Sequence, residues 1–145
     1  MAKLIGVDLG TSNTFMYMKP QGIALRSPSV VAIDKQSRDV VSFGVEARRM
    51  LGKTPAGIVA FKPLVGGVIA DYDVTAKMLR IFFETTNSIS LFSRPSVIVC
   101  IPHGITEVEK RAVEDATLEA GAKTVALIET PIAAAIGTGI RILLM

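Results

Sequence analysis

Hydrophobic and polar positions change period several times along the chain, and each change marks an element. Leu4 to Leu9 is an apolar run broken only by Gly6 and Asp8 and halted at Gly10-Thr11-Ser12, which predicts a buried strand. Asn13 to Met18 and Gly22 to Arg26 predict two more strands about the turn Pro20-Gln21-Gly22, an opening β-meander. Ser29 to Asp34 and Val40 to Phe43 predict a further hairpin. A short helix is expected from Val45 to Leu51, with Gly52 ending it.

The second half alternates helix and strand. Asp73 is the expected N-cap of a helix running to about Thr86, with Val74, Met78, Ile81, Phe82 and Thr85 on its inner face. Ile89 to Pro95 reads as a loop. Ser96 to Ile101 is continuously apolar, the pattern of a strand buried on both faces. Thr106 with Glu109 forms a capping box that opens the next helix, which Gly121 stops; Val108, Ala112, Val113, Ala116 and Ala120 are its predicted inner residues. Thr124 to Ile128 is another buried strand, and Thr130-Pro131 starts an Ala-rich helix. A meander, a small inserted unit and then alternating elements give an α/β fold with a mixed sheet.

Composition adds limits. The length of 145 residues suits one domain. The lone Cys100 has no partner for a disulfide, which fits a reducing, cytoplasmic setting, and its apolar run makes it a small core residue. A net charge of +3 spread over scattered basic residues argues against nucleic acid as a partner. Met1-Ala2-Lys3 leads straight into the first strand, so no secretory signal is expected. The apolar stretch from Pro131 to Met145 carries Arg141 and falls short of the about 20 residues that span a bilayer. A mean hydropathy of +0.47 is high, as if some apolar surface awaits a cover.

The sharpest chemistry lies in Asp8-Leu9-Gly10-Thr11-Ser12-Asn13-Thr14. Gly10 permits a tight turn, successive backbone N–H groups can line an anion-binding concavity, and Thr11, Ser12 and Asn13 add short polar groups. Asp8 beside a phosphate makes sense with Mg²⁺ between them, bridged by water. An ordinary polar hairpin turn is the competing reading. Strand-Asp-x-Gly-Thr-x-strand resembles the first phosphate loop of the actin, Hsp70 and sugar-kinase superfamily.

The stretch Ile5 to Thr14 looks specifically like the rod-shape-determining MreB family. So do Pro28 to Asp34, Gly66 to Tyr72, Gly104 to Val113 and Ala133 to Gly137, in family order over nearly the whole chain. The resemblance implies the first lobe of an actin-like, ATP- and Mg²⁺-binding protein. Residues 1–28 and 72–139 would form subdomain IA, residues 29–71 the small subdomain IB, and residues 140–145 a tail unlike the family. The second lobe, with its own phosphate loop, and the family's final helices, which return to pack on subdomain IA, would be missing, as in a truncated chain.

The family's water-activating glutamate falls at Thr130 in Ile128-Glu129-Thr130-Pro131. A hydroxyl holds a water but is no general base near neutral pH, and a helix N-cap is the simpler reading of Thr130. Glu129, one residue earlier on a strand, is expected to face the other way. His103, without companions, is expected to be a plain loop residue. Leu91 and Phe92 stand in a loop that the family inserts into the inner face of the cytoplasmic membrane. Arg94 beside them suits anionic lipid, and folding back onto the core is the alternative. The N-terminal amphipathic anchor of some members is expected to be absent.

The implied function is an ATP-dependent, membrane-associated filament of self-assembled subunits that governs cell shape and guides the cell-wall synthesis machinery. Two alternatives stand beside it: a lobe of another superfamily ATPase or kinase, and a non-hydrolysing remnant that binds filaments or lipid.

Overall fold

The computed structural model describes residues 3–139. The chain opens with β1 (Leu4–Leu9), β2 (Asn13–Met18) and β3 (Gly22–Pro28), then β4 (Val31–Asp34), β5 (Val40–Phe43) and the short helix α1 (Gly44–Arg49). Next come β6 (Ile58–Phe61), the small hairpin β7 (Leu64–Val65) and β8 (Val68–Ile69), and the helix α2 (Tyr72–Thr85). The last elements are β9 (Ser96–Ile101), α3 (Glu107–Ala120), β10 (Thr124–Glu129) and α4 (Thr130–Gly137). The predicted 140–145 tail lies outside the described residues.

The main sheet has the order β10-β9-β1-β2-β3, with β1, β9 and β10 parallel and the meander antiparallel. It is the mixed sheet that the alternation of elements predicts. Its inner face carries Ile5, Val7, Val97, Val99 and Ile101, packed on Val74, Met78, Phe82 and Phe83 of α2 and Val113 and Ala120 of α3. Each fully buried Phe or Leu contributes about 1.5–3 kcal/mol.

Only one face of β9 is covered: Ile98 stays 37% exposed, whereas Val97, Val99 and Ile101 are buried. The strand buried on both faces is β4. Val31 and Ile33 join the main core, while Val30 and Ala32 pack on Ala47 of α1 in a second, smaller one. The small sheet β5-β4-β6 therefore sits against α2, where Phe43 meets Phe82 edge to face at 6.1 Å.

Helix starts differ in detail from expectation. Asp71, not Asp73, caps α2, its carboxylate accepting the Val74 N–H at 3.0 Å. A helix begins where a side chain can fold back on a free N–H, and Asp71 is the acid whose extended backbone allows it. Thr106 caps α3 by accepting the Glu109 N–H at 3.1 Å, and its hydroxyl also meets the Glu109 carboxylate at 3.1 Å. Val108 is exposed and Thr117 is buried, so the inner stripe of α3 is shifted from the apolar count.

Candidate functional site

The carboxyl ends of the parallel strands β1, β9 and β10 lie on one edge of the sheet, the edge where open α/β sheets bind ligands. Three predicted segments meet there: the turn after β1, the Pro102-His103 corner after β9, and the Glu129-Thr130 step into α4.

In the first segment, the Gly10 N–H donates to the Asn13 carbonyl at 3.0 Å, closing a tight turn between β1 and β2. A Cβ at position 10 would stand 2.6 Å from that carbonyl oxygen, so glycine is required by contact. Ser12 and Asn13 are exposed at the tip. Among the described residues, the N–H groups of Thr11 and Ser12 have no backbone acceptor, which leaves two donors for an anion. The turn is fixed from behind: the Ser29 N–H donates to the Ser12 carbonyl at 2.9 Å, and the Thr14 and Ser29 hydroxyls share a buried hydrogen bond at 2.8 Å. Thr11 is engaged sideways, its hydroxyl oxygen accepting the Gly67 N–H at 2.6 Å.

Asp8 is exposed near the end of β1, in register with Cys100 of β9. Burial raises the Cys100 thiol pKa, and the Asp8 charge raises it further. No group of three metal-ligating side chains occurs among the described residues. A single accessible carboxylate beside an anion cradle fits Mg²⁺ held chiefly by phosphate oxygens and water.

At the other segment, the helix N-cap is Glu129 and not Thr130, which is the first residue of α4. The Thr130 hydroxyl donates to the Ile101 carbonyl at 3.1 Å, so it ties α4 to β9 instead of capping its own helix. His103 is a loop residue with a partner that its isolation in sequence conceals: its Nδ1 lies 2.6 Å from a Glu129 carboxylate oxygen. The ends of β9 and β10 are thus joined twice.

Leu91 and Phe92 stand far from this edge in sequence and form the tip of a tight turn closed by Ser90 and Ser93. They are 95% and 98% exposed, so they do not fold back onto the core. Arg94 has a structural role: its guanidinium donates to the Gly121 and Ala122 carbonyls at 3.0 and 3.1 Å, at the end of α3. No described helix is long and apolar enough to cross a membrane.

The meander, the crossover helices on its inner face and the turn after β1 define the first lobe of an actin-like protein. The MamK double helical filament shares this fold, with a TM-score of 0.79 at 20% identity over 96% of this chain. The chain belongs to the MreB/Mbl protein family, whose sequence model matches residues 2–144. It is 50% identical to the cell shape-determining protein Mbl of Bacillus subtilis (strain 168) over 141 residues, 97% of this chain and 42% of that protein. Cell shape-determining protein MreB of Escherichia coli (strain K12) is 49% identical over 144 residues, covering 95% of this chain and 41% of that protein. The crystal structure of MreB5 of Spiroplasma citri bound to ADP superposes with a TM-score of 0.84 at 33% identity, over 97% of this chain and 42% of that one. The chain thus spans less than half the length of these relatives.

Proposed function

We propose that this chain is the first lobe of a cytoskeletal subunit that binds ATP with Mg²⁺, assembles with copies of itself, and lies at the inner face of the bacterial membrane to set cell shape. The observation that carries this reading is the Gly10–Asn13 turn, with two unpartnered N–H groups at the carboxyl edge of the sheet. The family relationship supports it, since a relative with 33% identity binds ADP. Gly10, Thr11, Ser12 and Asn13 cradle the phosphates, and Asp8 reaches the Mg²⁺ through water. Leu91 and Phe92 supply the apolar tip for lipid, and the cell-wall synthesis machinery is a further expected partner.

Hydrolysis is another matter. The Thr130 hydroxyl has committed its proton to Ile101. Its oxygen can accept a hydrogen bond from water, but it lacks the basicity to take a proton. The proposal for this lobe is therefore nucleotide binding without efficient turnover. A non-hydrolysing remnant that contacts filaments or lipid is the second reading, favoured by the same threonine. Co-sedimentation with anionic vesicles, with and without Mg²⁺–ATP, tests the membrane role. Pelleting that disappears in Phe92→Ser supports it, and no pelleting under either condition removes it.

A further inference from the structure

Helix α4 packs against β10 and β9 on the face of the main sheet opposite α2 and α3, and it covers little of that face. Beside it, two apolar concavities of about 500 and 520 Å³ share Gly6, Tyr17 and Ile98. Gly6 is in register with both Tyr17 and Ile98 and has no side chain, so this row is the floor of one continuous groove along the strands. Tyr17 and Ile23 in the groove are 49% and 66% exposed. The two ends of the groove differ in charge. Asp8 lines it toward the carboxyl edge of β1, and Lys19 lines it at the opposite end.

The helix beside the groove is itself bare. α4 contains no charged residue and no buried one, and Ile132 and Ile136, one turn apart, are both exposed. A helix this apolar ordinarily lies inside a protein. The small side chains of Ala133, Ala134 and Ala135 leave room for a close neighbour. α4 starts at the carboxyl edge, and its later residues Ile136 and Gly137 share a concavity with Gly6 and Ile98, so it runs back along the face. An uncovered apolar helix and an empty apolar groove thus lie side by side on one surface.

We propose that two copies of this chain pair through this face, each laying its α4 in the groove of the other. A two-fold axis parallel to the strands, midway between the two faces, carries α4 across to the far side of the partner's groove. The two helices then share one layer between the two sheets, side by side at about 8–10 Å. Such an axis keeps the direction of α4 along the strands. The C-terminal end of each helix, with its free carbonyls, therefore comes to the partner copy's Lys19 end, and the N-terminal end, with its free N–H groups, to the Asp8 end. Both ends meet the charge that suits them. A two-fold pair of this kind is closed and does not grow, so it goes beyond the filament assembly proposed above, and neither rests on the other. It requires no nucleotide.

Sedimentation velocity of the 145-residue chain without nucleotide tests the pairing. Between about 1 and 100 µM the mass should rise from 15.4 kDa to twice that value. Ile136→Lys in the helix and Ile23→Lys in the groove should each weaken the dimer by about tenfold or more, since each buries an unpaired charge. Both side chains are exposed in a single copy, so thermal midpoints should hold; if one variant loses its fold, the other decides. Lys19→Glu should weaken pairing by about three- to tenfold, and Lys19→Arg should restore it. Val108→Lys, on the exposed side of α3 across the sheet, should leave the dimer intact. A chain that stays monomeric throughout overturns the proposal and leaves the groove to residues 140–145 or to a helix of another protein. A dimer that survives both Ile136→Lys and Ile23→Lys, or that Val108→Lys abolishes, lies on another face and overturns it as well. A dimer indifferent to Lys19→Glu contradicts the helix direction and overturns the arrangement.

Discussion

Asp8 and Cys100 face each other across the parallel pairing of β1 and β9, and the carboxylate adds its charge to burial in raising the thiol pKa. Cys100 is therefore a reporter placed beside the proposed Mg²⁺ ligand. Asp8→Asn removes the charge and lowers the thiol pKa toward its ordinary range, so more thiolate is present at mildly alkaline pH. Alkylation of Cys100 at pH 8 should be faster in Asp8→Asn than in the wild type. Equal rates would mean that burial alone governs the thiol.

The Thr14–Ser29 hydroxyl pair anchors the turn from inside the protein, with both residues fully buried. Removing one partner leaves a buried hydroxyl unsatisfied. Thr14→Val or Ser29→Ala alone should each cost about 1–3 kcal/mol, and the double variant less than the sum of the two. Urea unfolding of the four chains measures this.

Gly10 has no room for a side chain, because the Asn13 carbonyl stands 2.6 Å from where a Cβ would be. Gly10→Ala must open the turn. A loss of about 1–3 kcal/mol in stability is expected, together with loss of nucleotide binding. Thermal unfolding gives the first, and calorimetry with Mg²⁺–ATP the second.

Leu91 and Phe92 bury almost nothing, so their loss should not destabilise the fold. The double variant Leu91→Ser, Phe92→Ser should match the wild type in unfolding free energy to within about 0.5 kcal/mol. It should nevertheless lose its affinity for vesicles. A large drop in stability would mean that the tip packs on the protein in solution.

Acid should loosen the small sheet first. Burial raises the Asp71 pKa, but Arg38 and the Val74 N–H outweigh it, and the net shift is downward. Asp34 is lowered by the N–H groups of Ser37 and Gln36. A carboxyl whose pKa is depressed by folding stabilises the protein above its unfolded pKa, and that contribution is lost as pH falls through the folded value. From about pH 5 downward, stability should therefore decline. Arg38→Gln should flatten the decline, as a pH series of thermal midpoints would show.

Much of the fold was legible because the periodicity is clean. The meander, both long helices and the parallel strands stand where the apolar spacing puts them, but β10, expected to be buried, holds no fully buried residue because it is the edge strand of the main sheet. The sequence concealed what depends on neighbours remote along the chain. β6 is only four residues and β7–β8 only two each, too short for a period, although adjacent Gly66 and Gly67, both with positive φ, are a hairpin signal that could have found it. Ser96–Ile101 reads as doubly buried because an apolar strand looks the same whether or not its second face is covered. Here that face is a concavity of about 500 Å³ lined by Phe15, Ile98, Cys100 and Ile136. At the candidate site, the motif located Asp8 to Asn13 on the correct edge. It gave no hint that Thr11 is bound to Gly67, that His103 pairs with Glu129, or that Thr130 reaches back to Ile101. These contacts join residues 26 to 56 positions apart, beyond any local pattern.

The most direct test of the central claim is a calorimetric titration of the 145-residue chain with Mg²⁺–ATP, beside Asp8→Ala. Saturable binding that Asp8→Ala abolishes is the expected result, and it would establish the turn after β1 as a nucleotide cradle. A folded wild-type chain that takes up no ATP would contradict it and leave lipid or filament contact as the function of this lobe.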